Sequence, residues 1–222
     1  MKRTDLESEG FVFPETPGAP TRRSDAARAF AGWWDDLPTD PYMRGGALYR
    51  ERRYARFAVA LDAPPERLPH RPFIQSREIN PYAGDTARDF APMRDETADS
   101  PILHSLLARD ASRLNPERLR GVDAWHVDVH QIRTIAEPDA PGDPAPEGPH
   151  RDGMTAVAVH LIRRENMTGG ETRICTTDLE TLERRTLTHP FDAFMILDET
   201  LLHDATPFAT TAGATRGVRD TL

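Results

Sequence analysis

The spacing of apolar residues changes character about halfway along this chain. Up to residue 121 helical and extended patterns mix; beyond it, short alternating runs separated by turn residues take over. Ser24 precedes Asp25-Ala26-Ala27-Arg28-Ala29-Phe30, an N-cap followed by good helix formers, and Pro38 and Pro41 are expected to end that helix. Trp33 and Trp34 then belong on its inner side. Residues 54–61 read as a strand stopped by Pro64-Pro65, and 73–76 as a second short strand. Ser100-Pro101 sets an N-cap before a proline at the first helical position. Ile102, Leu103, Leu106 and Leu107 follow at helical spacing, predicting a helix over 101–113 that covers one face of a sheet.

In the second half Trp125, Val127 and Val129 alternate with His126, Asp128 and His130. Residues 137–149 carry Pro138, Pro141, Pro144, Pro146 and Pro149, which excludes a helix or a strand interior. That loop delivers the chain to His150 and is a candidate lid. Residues 154–162 predict an apolar strand and 166–170 a tight turn. Short strands are expected over 171–177, 181–188, 191–197 and 201–205, and 217–222 reads as the start of one more. Such a series predicts a sandwich or barrel, with the helices of the first half packed outside it. The 222 residues suit a single domain, 1–222. Within it, 1–23 is expected to be extended or partly ordered, 24–121 helical or mixed, and 122–222 the β core.

Composition narrows the partners. A net charge of −8 argues against nucleic acid or an acidic membrane surface. Lys2 is the only lysine, so basic charge is almost all arginine. Cys175 is the only cysteine, which excludes an internal disulfide and a cysteine metal cluster, and its alternating context predicts a buried strand position. The N-terminus lacks the apolar core of a secretory signal, and no apolar run reaches the roughly 20 residues of a membrane helix. The expectation is a soluble, cytoplasmic protein.

Candidate chemistry centres on Glu147-Gly148-Pro149-His150-Arg151-Asp152-Gly153. On an extended strand His150 and Asp152 face one way, with Cα atoms roughly 6.6 Å apart, and can converge on one metal. A rival set, His126, Asp128 and His130, lies on a single strand. Its two histidines would stand roughly 13 Å apart, too far to share an ion. His126 and Asp128 are therefore read as the polar face of a half-buried strand, with His130 free to look into a cavity. His203, in Leu202-His203-Asp204-Ala205, sits on a separate predicted strand and supplies a third ligand. Two His and one carboxylate with open positions suit non-haem iron(II). His70, His104, His160 and His189 are read as surface or satisfied core histidines. Arg219 follows His203 and can hold a carboxylate through two parallel hydrogen bonds, with Arg216 as the fallback.

These motifs occur in an order that resembles a known family. The 146–153 block, Leu161-Ile162-Arg163-Arg164-Glu165-Asn166 with Gly169-Gly170-Glu171, Leu202-His203-Asp204-Ala205-Thr206-Pro207 and Gly217-Val218-Arg219-Asp220 resemble the bacterial iron(II)- and 2-oxoglutarate-dependent dioxygenases of the L-isoleucine hydroxylase type. The stretch from Tyr49 to Phe57, Gln75-Ser76, Asn80 and Arg88-Asp89-Phe90 extend the resemblance back to about Trp33. The resemblance implies a mainly β fold with flanking α-helices around a double-stranded β-helix, a cupin-like jelly roll. It implies His150, Asp152 and His203 as iron ligands and Arg219 as the group gripping the distal carboxylate of 2-oxoglutarate. The chain departs from the family at Val218, often aromatic there, and is expected to lack the usual closing strand after Asp220.

The implied reaction uses iron(II), 2-oxoglutarate and dioxygen, yields succinate and carbon dioxide, and hydroxylates an unactivated C–H bond of a free, aliphatic L-amino acid. A carboxylate at Asp152, leaving no room for halide, favours hydroxylation over halogenation. Candidate substrate contacts are Gln75, Asn80, Arg88, His130, Arg151 and Arg164, with Tyr82 as a further lining group. Glu147 or Asp128 are candidates to accept the substrate ammonium. The alternatives are the same chemistry on a residue tethered to a peptide or carrier protein, and a cupin-like metal-binding barrel without turnover.

Overall fold

A computed structural model describes residues 6–15, 18–80, 84–119 and 121–222. Tyr82, a candidate lining residue, lies outside them. The described chain is mainly β. Its first half supplies β1 (Phe11–Val12), helix α1 (Asp25–Gly32), β2 (Arg50–Val59), β3 (Glu66–Leu68) and helix α2 (Pro101–Ala111). The second half supplies β4 (Trp125–Ala136), β5 (Val157–Glu165), β6 (Met167–Gly169), β7 (Thr172–Cys175) and β8 (Thr181–Arg185). It ends with β9 (Ala193–Ile196), β10 (Leu202–Ala205), β11 (Phe208–Thr210) and β12 (Gly217–Thr221).

All strand pairs are antiparallel. A seven-stranded sheet runs β1-β9-β5-β12-β4-β2-β3, a three-stranded sheet runs β10-β7-β8, and β11 pairs with β6. The segment read as the mere start of a closing strand is a complete strand. β12 sits at the middle of the large sheet with β4 on one side and β5 on the other, and all five of its residues are buried.

The large sheet carries the helices on one face. Ser24 caps α1 by accepting from Ala27 N, and Ser100 caps α2 by accepting from Ile102 N, as the sequence predicts. α1 stops at Gly32, ahead of the prolines expected to end it. Phe30 and Trp34 from the α1 region and Leu103, Leu106 and Leu107 of α2 pack on Ala55, Phe57 and Val59 of β2, Val129 of β4 and Ile162 of β5. The Trp34 indole N–H reaches the carbonyls of Ile132 (3.0 Å) and Thr221 (3.2 Å), tying this layer to the strands beneath it. On the other face a second cluster joins Leu161, Phe194 and Ile196 of the large sheet to Ile174 of β7, so the small sheet packs there. Cys175 is buried on β7, as expected.

Other expectations are corrected. Residues 73–76 form no strand: Phe73 makes only an isolated bridge to Arg88, because the chain turns away after one pair of hydrogen bonds. The predicted turn at 166–170 contains β6, with left-handed Asn166 and Gly170 at its borders. Near the N-terminus, in the stretch expected to be extended or partly ordered, Leu6–Glu9 forms a helical turn and β1 joins the edge of β9.

The helix-side face also buries a charge cluster. Asp220 has no exposed surface and pairs with Arg133 (2.7 Å) and Arg163 (3.1 Å). Burial pushes the Asp220 carboxyl above its ordinary value, against the pull of Arg133. Removing that carboxylate leaves Arg133 and Arg163 to share Asp35, which is 57% exposed, so Asp220→Ala should cost about 3 kcal/mol in denaturant unfolding. A loss within experimental error of zero would show that this pair does not hold the sheet.

Candidate functional site

His150 and His203 lie opposite each other in an isolated antiparallel bridge. Each backbone N–H donates to the other's carbonyl, at 3.1 and 3.0 Å, so their side chains project to the same side. The rings stand 4.6 Å apart between centroids. Asp152 completes the group, with its two carboxylate oxygens 3.9 Å from His150 Nε2 and 3.9 Å from His203 Nε2. One donor atom from each residue lies within 4.8 Å of the others. Two donors bound at about 2.1 Å to one ion can be up to roughly 4.2 Å apart, so this set can close on a metal with small adjustments.

The tautomers suit that role. His150 Nδ1 can only donate to the Gly148 carbonyl, 2.8 Å away, which leaves Nε2 with a free lone pair. His203 is buried, and desolvation with the adjacent His150 lowers its pKa to about 4, so its imidazole is neutral near pH 7. Its neighbour Asp204 pairs with Arg173 across the β10–β7 register, which anchors the strand that presents it.

Asp152 is not on a strand. It sits in a loop whose backbone is gathered by Asp198, a buried residue that follows β9. Asp198 accepts from Asp152 N (3.1 Å), Gly153 N (2.7 Å) and Met154 N (2.9 Å). Three successive N–H groups converge because Gly153 takes a left-handed φ of 79°, and a Cβ there would meet Ile79 at 2.9 Å. Sequence reasoning missed Asp198, since an aspartate after a strand reads as a turn residue. From the other side Gln75 donates to the Asp152 carbonyl at 2.8 Å and to its carboxylate at 3.3 Å.

A cavity of about 540 Å³, which also runs along Leu106, Leu107 and Ala111 of α2, opens at this trio. Gln75, Asn80, Arg88 and His130 line it, as expected, together with Asp40, Arg50, Arg52 and Glu147. His130 stacks among Tyr54, Phe73 and Phe90, with centroids 4.8, 4.7 and 5.8 Å away, and burial holds its pKa well below the ordinary value. Asp128 accepts from the Tyr54 hydroxyl and lies 3.6 Å from Arg56, a structural role, and His126 is exposed at the rim.

Arg219 also lines the cavity; it is 5% exposed and has no hydrogen-bond or ion-pair partner among the described residues. Burial and the neighbouring Arg164 lower its pKa to about 10. The structure does not bring every candidate here. Arg216 is half exposed and pairs with Glu51 at 3.2 Å, away from the cavity. Arg151 donates to the Glu199 carbonyl at 3.2 Å. Arg164 is the register partner of Arg219 but donates to the Gly169 carbonyl at 2.7 Å.

Known proteins resemble this arrangement throughout its length. A family model described as 2OG-Fe dioxygenase matches residues 31–222. A 3(1)-hydroxy-L-isoleucine 4-dioxygenase of Pantoea ananatis is 26% identical over 191 residues, 85% of this chain and 76% of that protein. The crystal structure of a bsmA homolog from Methylobium petroleophilum superposes with a TM-score of 0.82 at 28% identity, covering 97% of this chain and 87% of the other. The structure of IDO from Bacillus thuringiensis gives 0.75 at 18% identity, covering 97% and 89%, a likeness of fold.

Replacing Asp198 tests the loop that orients Asp152. In Asp198→Asn an amide N–H₂ would replace one carboxylate oxygen and lose an acceptor for the loop. Divalent-metal affinity should fall about 10- to 100-fold, measured by equilibrium competition with a chelating dye. Unchanged affinity would mean that the loop holds its shape without this anchor.

Proposed function

Since this chain belongs to the 2OG-Fe dioxygenase family, non-haem iron enzymes that use iron(II), 2-oxoglutarate and dioxygen, we propose that it hydroxylates an unactivated C–H bond of a free, aliphatic L-amino acid. The observation that carries this reading is Arg219, a buried guanidinium with no protein partner among the described residues, in the cavity that His150, Asp152 and His203 also line. A buried cation without a counter-charge is costly, and a bidentate carboxylate is its natural complement. The named activity of the Pantoea relative, on a hydroxylated isoleucine, supports an amino acid as the other occupant.

On this reading the two large layers are the walls of a single-domain, double-stranded β-helix with its open end at the trio. His150 Nε2, Asp152 and His203 Nε2 would hold iron(II), a donor set of two imidazoles and one carboxylate that suits this ion. When bound, iron(II) with 2-oxoglutarate and dioxygen supplies the oxidising power, with succinate and carbon dioxide as co-products of C–H hydroxylation. Arg219 fixes the far carboxylate of 2-oxoglutarate, and the aromatic wall of Tyr54, Phe73 and Phe90 keeps bulk water from the reacting centre. No described helix is long and apolar enough to cross a membrane. A cytoplasmic location is part of the same proposal.

Protein loaded anaerobically with iron(II) and 2-oxoglutarate, then given oxygen and a pool of L-amino acids, should release succinate and a product heavier by one oxygen atom. Bound metal with no succinate from any amino acid would overturn the substrate class. His150→Ala and Asp152→Ala should abolish turnover, and full turnover in either would remove the trio from the reaction. Arg219→Gln should raise the KM for 2-oxoglutarate on the order of 10²-fold, because two charge-assisted hydrogen bonds are lost.

A further inference from the structure

Arg219 is not the only buried guanidinium facing the cavity. Arg52 and Arg88 are 8% and 7% exposed and line the same space. Both rest on the Phe90 ring, with guanidinium carbons 4.6 and 5.7 Å from its centroid, and Arg88 also lies 4.9 Å from Phe73. Arg88 is held by donating to Gln75 Oε1, which accepts from Asn80 Nδ2 at 3.0 Å as well. Arg52 lies 3.4 Å from Asp40, whose carboxylate is 4% exposed and also accepts from Tyr42 N. The Arg52 Nε is the atom that faces Asp40, whereas the Arg88 Nε is buried without a hydrogen-bond partner.

The local charges do not balance. Arg50, further along the same wall, donates to the carbonyls of Asp143 and Pro144 rather than to a carboxylate. Asp128 is committed to Tyr54 and Arg56. Asp40 is the carboxylate in contact with this pair on the aromatic shelf, while the charges of Asp152 and Glu147 act on Arg88 at longer range. Burial lowers the pKa of Arg52 to about 9 and that of Arg88 in the same direction. The charge of Asp152 acts on both, whereas the charged neighbour of Arg219 is Arg164. Arg52 on β2 and Arg219 on β12 are separated by β4, so the two cationic groups stand on different parts of the cavity wall.

We propose that Arg52 and Arg88, seated on Phe90 with Gln75 holding Arg88, form the subsite that takes the α-carboxylate of the amino-acid substrate. This rests on the amino-acid reading above and goes beyond it. Arg219 has its own carboxylate to bind, and Arg88, which meets a neutral amide oxygen but no carboxylate among the described residues, needs another. A carboxylate between two planar guanidiniums gains charge-assisted hydrogen bonds that a neutral amide cannot match. The aromatic shelf keeps both guanidiniums in place before the ligand arrives.

The test is calorimetric and needs no turnover. Manganese(II)- and 2-oxoglutarate-loaded protein is titrated with L-isoleucine, L-leucine and L-valine, and with the primary amide of each. The acids should bind on the order of 10²-fold more tightly than the amides. Arg88→Gln should weaken the acids by a similar factor, leave the amides almost unchanged, and keep wild-type affinity for 2-oxoglutarate. Arg88→Lys and Arg52→Lys, which retain the charge and protect folding, should each remove part of the preference. If all three variants keep the wild-type preference for acids, the subsite is wrong while the amino-acid reading stands. If wild-type protein binds none of the acids, or binds amides equally well, the amino-acid reading itself fails and takes this subsite with it.

Discussion

The backbone exchange between His150 and His203 is the constraint from which the site follows. Two hydrogen bonds, each near 3 Å, hold together residues from opposite ends of the β core and set their imidazoles side by side. Antiparallel pairing of this kind fixes direction as well as distance, since directly opposed side chains leave the sheet on the same face. The third donor could not come from the same ladder without standing too far along it. It comes instead from a loop, and the loop needs its own fastening, which Asp198 supplies through three backbone N–H groups. The trio therefore combines one rigid pair with one tethered member.

Around it the cavity wall carries four arginines, Arg50, Arg52, Arg88 and Arg219. Of the carboxylates outside the trio that share this wall, Asp110 is paired with His160, Asp128 with Tyr54 and Arg56, and Asp204 with Arg173, which leaves Asp40 and Glu147 to face the guanidiniums. Guanidinium groups tolerate this better than ammonium groups, because they are weakly hydrated and can lie flat on aromatic rings, as Arg52 and Arg88 do on Phe90. On the proposed reading, ligands that bring carboxylates would offset these guanidiniums. A site that orders two carboxylate-bearing molecules beside one metal gains from having the complementary charges already in place, since little reorganisation is then needed on binding.

The trio was legible because its signal is local: a histidine and an aspartate two residues apart after a proline-rich loop, and a second histidine on a short strand. Arg219 was legible from its order in the chain. Arg52 was not, because Arg50-Glu51-Arg52-Arg53 resembles an exposed, charged run, and only its alternating burial along β2 shows that Arg50 and Arg52 point inward. Asp198 was hidden for the opposite reason, since its partners are backbone groups 44 to 46 residues away that carry no side-chain signature. Helices α1 and α2 were readable from caps and spacing. The short pairs β1–β9 and β6–β11 were not, because strands of two or three residues owe their existence to a neighbour rather than to their own pattern.

β12 shows how one strand serves both sides of the sheet. Arg219 and Asp220 are consecutive, so they point to opposite faces, and neither is exposed to solvent beyond 5%. Toward the helices, Asp220 meets Arg133 and Arg163, and the charge is settled within the protein. Toward the cavity, Arg219 meets no carboxylate among the described residues. Both groups are equally removed from water, so both incur the desolvation penalty of a buried charge, yet only one is compensated by the fold itself. A strand pinned by two neighbours can carry such an uncompensated charge without unravelling. The central place of β12 between β4 and β5 is thus what allows the cavity to keep a cation in reserve for a ligand.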